Sequence, residues 1–170
     1  MLRRILLISA IAAAVTPALA QTTTTPPAAP APSTPTPPPL QPYEPSNALE
    51  HTFLAAYQSA PMRPRFRQQF LETNVLLATV DATPDSAPRL ASGPGGQQVA
   101  LIFTSGALLD ARLGPDTPRL AMTGRAALTR VSETHVIINP GYAPMLALDP
   151  AGIAGFLDIP ATLNSAGPAQ

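Results

Sequence analysis

The chain has 170 residues, no cysteine and no lysine, and its ten arginines balance ten carboxylates. That length is the prior for a single domain. The missing thiols exclude disulfides, thiol nucleophiles and thiolate metal sites, and the balanced charge excludes the strong basic excess of a nucleic-acid binder.

Residues 1–20 read as a secretory signal peptide. Arg3 and Arg4 precede an apolar run from Ile5 to Val15, and Ala18-Leu19-Ala20 closes the segment with an A-x-A cleavage pattern. The run is short of the roughly 20 residues that span a bilayer, so membrane contact is expected only in transit, through this peptide. With no cysteine there is no lipobox to acylate. The expectation is a periplasmic or secreted protein that begins at Gln21. Its eight remaining arginines face ten carboxylates, a net charge of −2.

Residues 21–45 hold ten of the 23 prolines and a single charge, Glu44. Proline fixes φ and removes a donor, so neither a helix nor a central strand is expected there. The composition is that of a disordered Pro/Thr/Ala-rich linker, partly polyproline II, serving as a stalk rather than a docking ligand.

Residues 46–160 are expected to fold, leaving 161–170 as a tail. Asn47 with Glu50 three residues on is a capping-box spacing at the start of a helix. Leu49, Phe53 and Tyr57, with Leu54 beside them, make its apolar stripe. Pro61 and Pro64 break that helix and restart a second, Arg65 to Leu71, with Phe66, Phe70 and Leu71 facing inward. Val75 to Val80 reads as a strand. Asp81 to Gly96, rich in Pro, Gly and Ser, reads as a long mobile loop. Gln98 to Thr104 lacks polar alternation and is expected to be a central strand covered on both faces.

Ser105 to Gly114 follows as a short helix or turn with a glycine stop. Thr123 to Val131 is an amphipathic helix, with Ala127, Leu128 and Val131 opposite Arg125 and Arg130. A third strand runs into Asn139-Pro140, and Met145 to Leu148 is a fourth. Asp149 and Pro150 suit the cap and first turn of a last helix. Interleaved helices and strands predict an α/β (α+β) fold, a single mixed β-sheet with helices packed on it.

One pattern is distinctive. A strand ending in Phe103-Thr104-Ser105 leads into a Leu-bearing turn and a helix. An apolar strand then runs into Asn139-Pro140-Gly141, followed by a short strand and an Asp/Pro-capped helix. Together with the Asn47-x-Leu49-Glu50 opening and the Val75–Val80 strand, this resembles the N-terminal domain of SseB family proteins, named for enhanced serine sensitivity. The resemblance covers about residues 47 to 158. It implies an α/β fold and carries no agreed reaction and no established catalytic residues. Two features depart from the family's usual pattern: the signal peptide with its stalk, and a chain that stops soon after the first domain.

Asn139-Pro140-Gly141-Tyr142 predicts a type II turn, with Pro presetting φ at the first corner and Gly tolerating positive φ at the second. It is expected first to be a corner, and second a ligand or partner site in which Asn139 and Tyr142 sit at the mouth of the sheet. Arg63, Arg65 and Arg67 beside Phe66 form a basic patch. Arg65 is a candidate partner contact there, against the plainer reading of a solvated face with stems on apolar neighbours. His51 and His135 have no spacing that makes a metal site. Ser92-Gly93 and Ser105-Gly106 are the serine neighbourhoods, and neither lies in a Gly-x-Ser-x-Gly elbow. Ser105, His135 and Asp110 are the only serviceable hydrolase set. Residues 92–96 lack the ending of a phosphate loop.

The leading expectation is therefore an exported, non-catalytic binding domain, displayed on a proline stalk, whose partner is a protein or cell-envelope component. No catalytic residue, metal or cofactor is expected. The alternatives are a small-ligand binder using Asn139 and Tyr142, which requires an apolar pocket beside them, and a hydrolase, which requires Ser105 and His135 to meet. The partner reading requires an exposed apolar patch near the first two helices.

Overall fold

The computed structural model describes residues 39–158. The signal peptide, most of the stalk and the tail lie outside the described residues. Five helices are described: α1 (Ala48–Gln58), α2 (Arg63–Glu72), α3 (Gly106–Leu113), α4 (Gly124–Arg130) and α5 (Pro150–Leu157). The strands are β1 (Gln41–Pro42), β2 (Asn74–Ala78), β3 (Leu90–Ser92), β4 (Gln98–Phe103), β5 (Arg119–Thr123), β6 (His135–Ile138), β7 (Tyr142–Ala143) and β8 (Leu146–Leu148).

The main sheet has six strands. Its order is β5-β2-β4-β6-β8, with β3 also on β4. It is mixed: β4 and β6 run parallel, and the remaining pairs are antiparallel. The apolar run of β4 is central, as its lack of alternation predicts. Ala100 and Ile102 join a core with Phe53, Phe66, Phe70, Leu128 and Ile153 under α1, α2, α4 and α5. Val99, Leu101 and Phe103 join Leu108, Leu109 and Tyr142 on the opposite face, under α3.

The helix boundaries follow from caps. Asn47, Ser105, Thr123 and Asp149 each accept a backbone N–H in the first turn of α1, α3, α4 and α5. Gly114, at φ +96, ends α3. Gly124 lets α4 start against α2: a Cβ there would stand 2.1 Å from the Phe70 carbonyl oxygen, so no other residue fits.

Three expectations need correction. Tyr57 is not part of the apolar stripe. Ala56 turns inward beside Phe53, and Tyr57 is 62% exposed. Residues 119–123, to which the pattern assigns no strand, form the edge strand β5, paired to β2 along all five residues. Asp81 to Gly96 is not one long loose loop, because β3 pairs with β4 from Leu90 to Ser92.

The geometry of that last region is unusual. β4 pairs with β2 through Ile102 and Phe103, and with β3 through Gln98 to Ala100. Two short strands thus lie end to end along one edge of β4. The excursion between them closes on itself by a bridge, Thr79 to Pro88, and by Arg89 N–H to the Ala78 carbonyl at 2.9 Å. Arg130 pins it, donating to the carbonyls of Pro84 at 3.0 Å and Ser86 at 2.7 Å.

Candidate functional site: a buried polar centre and an aromatic groove

The polar centre lies where β4 and β6 end. Asn139 leaves β6 at φ +53, in the left-handed region that asparagine tolerates. Tyr142 N–H donates to the Asn139 carbonyl at 3.2 Å, and Gly141 has φ +87, so the type II turn forms as its sequence predicts. Asn139 does not sit at an open mouth, however. It is wholly buried. Its Oδ1 accepts from Thr104 N–H at 3.0 Å, and its Nδ2 donates to Thr104 Oγ1 at 2.9 Å and to Tyr43 Oη at 3.3 Å.

Glu50 completes this centre, and sequence reasoning missed it. Its N–H donates to Asn47 Oδ1 at 2.9 Å, the expected half of a capping box. The carboxylate goes elsewhere. Oε2 accepts from Ser46 N–H at 2.8 Å and Ser46 Oγ at 2.9 Å, and Oε1 accepts from Thr104 Oγ at 2.9 Å. Glu50 is 1% exposed. Burial pushes its carboxyl up, but the bonds from Ser46, Ser105 and Thr104 outweigh that and hold it below its usual value. The first turn of α1, to which Glu50 belongs, and Ser105, which caps α3, add the positive poles of two helix N-termini. No signal local to Glu50 announces this, because Thr104 is 54 residues away in sequence.

A short strap closes the centre from outside. Gln41 N–H donates to the Gly141 carbonyl at 2.9 Å, and β1 pairs in parallel with β7. The Tyr43 ring meets Tyr142 edge-on at 5.9 Å. Burial, then the Glu50 charge, push the Tyr43 phenol up to about 12 despite the Asn139 hydrogen bond. Composition assigned these residues to the stalk, yet Tyr43 is packed in the domain. The pocket that a ligand would need beside Asn139 is therefore filled by the chain itself. Neither the cavity between α1, α2 and α5 nor the one beside β6 and β8 is lined by Asn139 or Tyr142.

The hydrolase set is dispersed. Val99 is level with His135 in the parallel pair β4–β6. Ser105 lies farther along the chain by six residues, about 20 Å at the rise of a strand. Its hydroxyl accepts from Leu108 N–H at 3.4 Å, and Asp110 pairs with Arg119 at 2.5 Å. Among the described residues no group of three or more His, Asp or Glu converges as metal ligands would.

The apolar patch sought near the first two helices takes the form of a groove. It has a volume of about 750 Å³, and Phe53, Tyr57, Phe66, Met145 and Phe156 contribute to its lining. Beneath it Phe53 and Phe66 stack at 4.4 Å, and Phe156 stands edge-on to Phe70 at 5.7 Å. Arg63 and Arg67 stand at its rim with one acid, Asp158. Arg67 is no free surface charge. It donates to the carbonyls of Phe156 at 2.8 Å and of Gly155, and its guanidinium lies 5.6 Å from the Phe156 ring centre. Arg65 is exposed and does not line the groove. One wall comes from β8 and α5, so the first two helices alone do not reveal the groove's shape.

A family model described as the SseB protein N-terminal domain matches residues 49–155, more than half of the chain. The chain belongs to the SseB family. No curated protein and no solved structure matches it. Glu50, Thr104 and Asn139 fall within the SseB match, as do the α1 and α2 walls of the groove. Tyr43, Phe156 and Asp158 fall outside it.

Proposed function

We propose that this SseB-family domain is an exported, non-catalytic interaction module. It is carried on a proline-rich stalk and binds an apolar, acid-flanked segment of a periplasmic or cell-envelope protein. The groove is the observation that carries this reading. It offers aromatic surface for an apolar anchor and the exposed Arg63 at the rim for a flanking carboxylate, the arrangement in which a few desolvated contacts supply most of the affinity. The separation of Ser105 from His135 argues against a hydrolase, and Tyr43 in the Asn139 pocket argues against a small ligand there.

A photo-crosslinking residue at position 57, in the full chain expressed with its own N-terminus, tests the proposal against a control at exposed Glu133. The expected product is a periplasmic adduct whose crosslinked segment bears an apolar anchor between acidic residues, on a chain that begins at Gln21. With the crosslinking residue kept at position 57, Met145→Asp and Arg63→Glu should each lower capture about tenfold, and deleting residues 21–38 should leave it intact. Equal capture with and without these two substitutions, or a chain retained inside the cell with Met1, overturns the reading.

A further inference from the structure

We infer that the Asn139–Tyr142 turn and β7 form a receptor for an extended Pro-Tyr segment, filled in cis by Gln41–Tyr43 and open to the same segment from a second copy of this chain. This surface is separate from the groove. It reads three features of its occupant. The backbone of Gly141 to Ala143 offers a parallel ladder to two residues. The Tyr142 edge takes an aromatic ring. Asn139 Nδ2 then demands an oxygen at the ring's far end: its other contact is to Thr104 Oγ1, and Oδ1 is held by Thr104 N–H. A phenylalanine would fill the space and leave a buried donor unpaired, so the slot selects tyrosine.

The occupant is short and open to solvent. Gln41 and Pro42 are exposed and Leu40 is 43% exposed, and the strap is held by its two-residue ladder on β7, by Gln41 N–H on the Gly141 carbonyl and by the Asn139–Tyr43 bond. This is strand addition to an exposed edge, a mode used between chains as well as within one. The linker back to α1 runs from Glu44 through Pro45 to Asn47, with Ser46 held by Glu50. Proline biases the residue before it to extended backbone, a geometry that can carry the strap to a neighbouring domain or to its own. A swapped pair keeps every contact of the closed monomer, so the balance is set by concentration. The cis strap enjoys an effective concentration on the order of mM, and crowding of chains at that level favours exchange.

The test uses the mature chain, residues 21–170, carrying Tyr43→Ala, titrated with a peptide of residues 40–46 and followed by amide NMR. Saturable shifts are expected at the Asn139 side-chain amide and at Gly141 to Ala143. The same peptide with phenylalanine for Tyr43 should bind about fivefold more weakly. The wild-type chain should shift only when peptide reaches about 1 mM. If Tyr43→Ala loses the native spectrum, Tyr43→Phe replaces it, since that variant keeps the ring. No shifts at these positions in a natively folded variant overturn the receptor. For the second copy, light scattering on the wild-type chain at about 1 mM should show dimer that Tyr43→Ala abolishes. A wild-type chain that stays monomeric there overturns the second copy as occupant.

Discussion

Glu50 shows how one side chain can serve two levels of structure. Its backbone belongs to the cap of α1, while its carboxylate ties Ser46 to Thr104, which in turn holds Asn139. The charge has no cationic partner among its hydrogen-bond contacts, so its stability rests on donors from neutral groups and on the helix N-termini. Glu50→Gln keeps the volume but sets an amide against the Ser46 donors, and should cost about 2 kcal/mol at neutral pH. The pH dependence has a definite sign. A carboxyl held below its ordinary 4.5 contributes stability above that value and loses it as pH falls through the folded-state value. Thermal melts of wild type against Glu50→Gln from pH 7 downward should therefore converge on the acid side, and parallel curves would remove Glu50 as a stabilising charge. The sequence made Asn47 legible as a cap because a cap is a local device. It hid the burial of Glu50 and the positive φ of Asn139, since both are settled by groups that arrive from distant strands.

At the scale of elements, α5 illustrates what patterning reaches and where it stops. Asp149 and Pro150 announce its start, and Asp149 Oδ1 accepts from Gly152 N–H at 2.6 Å. Its end is held from outside, by Arg67 on α2 and by Arg125 on α4, which donates to the Leu157 carbonyl at 3.2 Å. Cations at a helix C-terminus satisfy carbonyls that have no partner in their own helix. Arg67→Ala should cost about 1–2 kcal/mol through those bonds and the ring contact, with faster hydrogen exchange from Ile153 to Leu157. Arg65→Ala, on the exposed side of the same helix, should stay within about 0.5 kcal/mol. Equal effects would mean that α5 is held by packing alone. The three arginines look alike in sequence, and only the arrival of α5 separates them. β5 was illegible for a related reason. Its residues are half-buried or exposed, so it lacks the apolar run that marks β4 and is defined by its ladder to β2.

Across the whole molecule, one sheet between helices on both faces supplies two cores in a chain with no disulfide. That architecture follows from the order of apolar runs, because β4 and β6 must be covered and each of the five helices buries apolar residues. The strap lay beyond the same reasoning. Ten prolines between residues 21 and 45 make the segment read as a spacer throughout, although its last residues complete the domain. The division of labour along β4 has a practical outcome. β2 and β3 are each registered by their own ladder, and residues 79–89 leave and return at adjoining positions, so the sheet does not depend on the length of what lies between them. A peptide epitope grafted between Pro84 and Asp85 should cost about 0.6 kcal/mol for each doubling of the segment, beyond the loss of the Arg130 bonds to Pro84 and Ser86 and of the Ser86–Thr83 turn bond that it interrupts. The domain would then be a host for foreign sequence at that tip, able to report its own location in living cells with both of its candidate binding surfaces untouched.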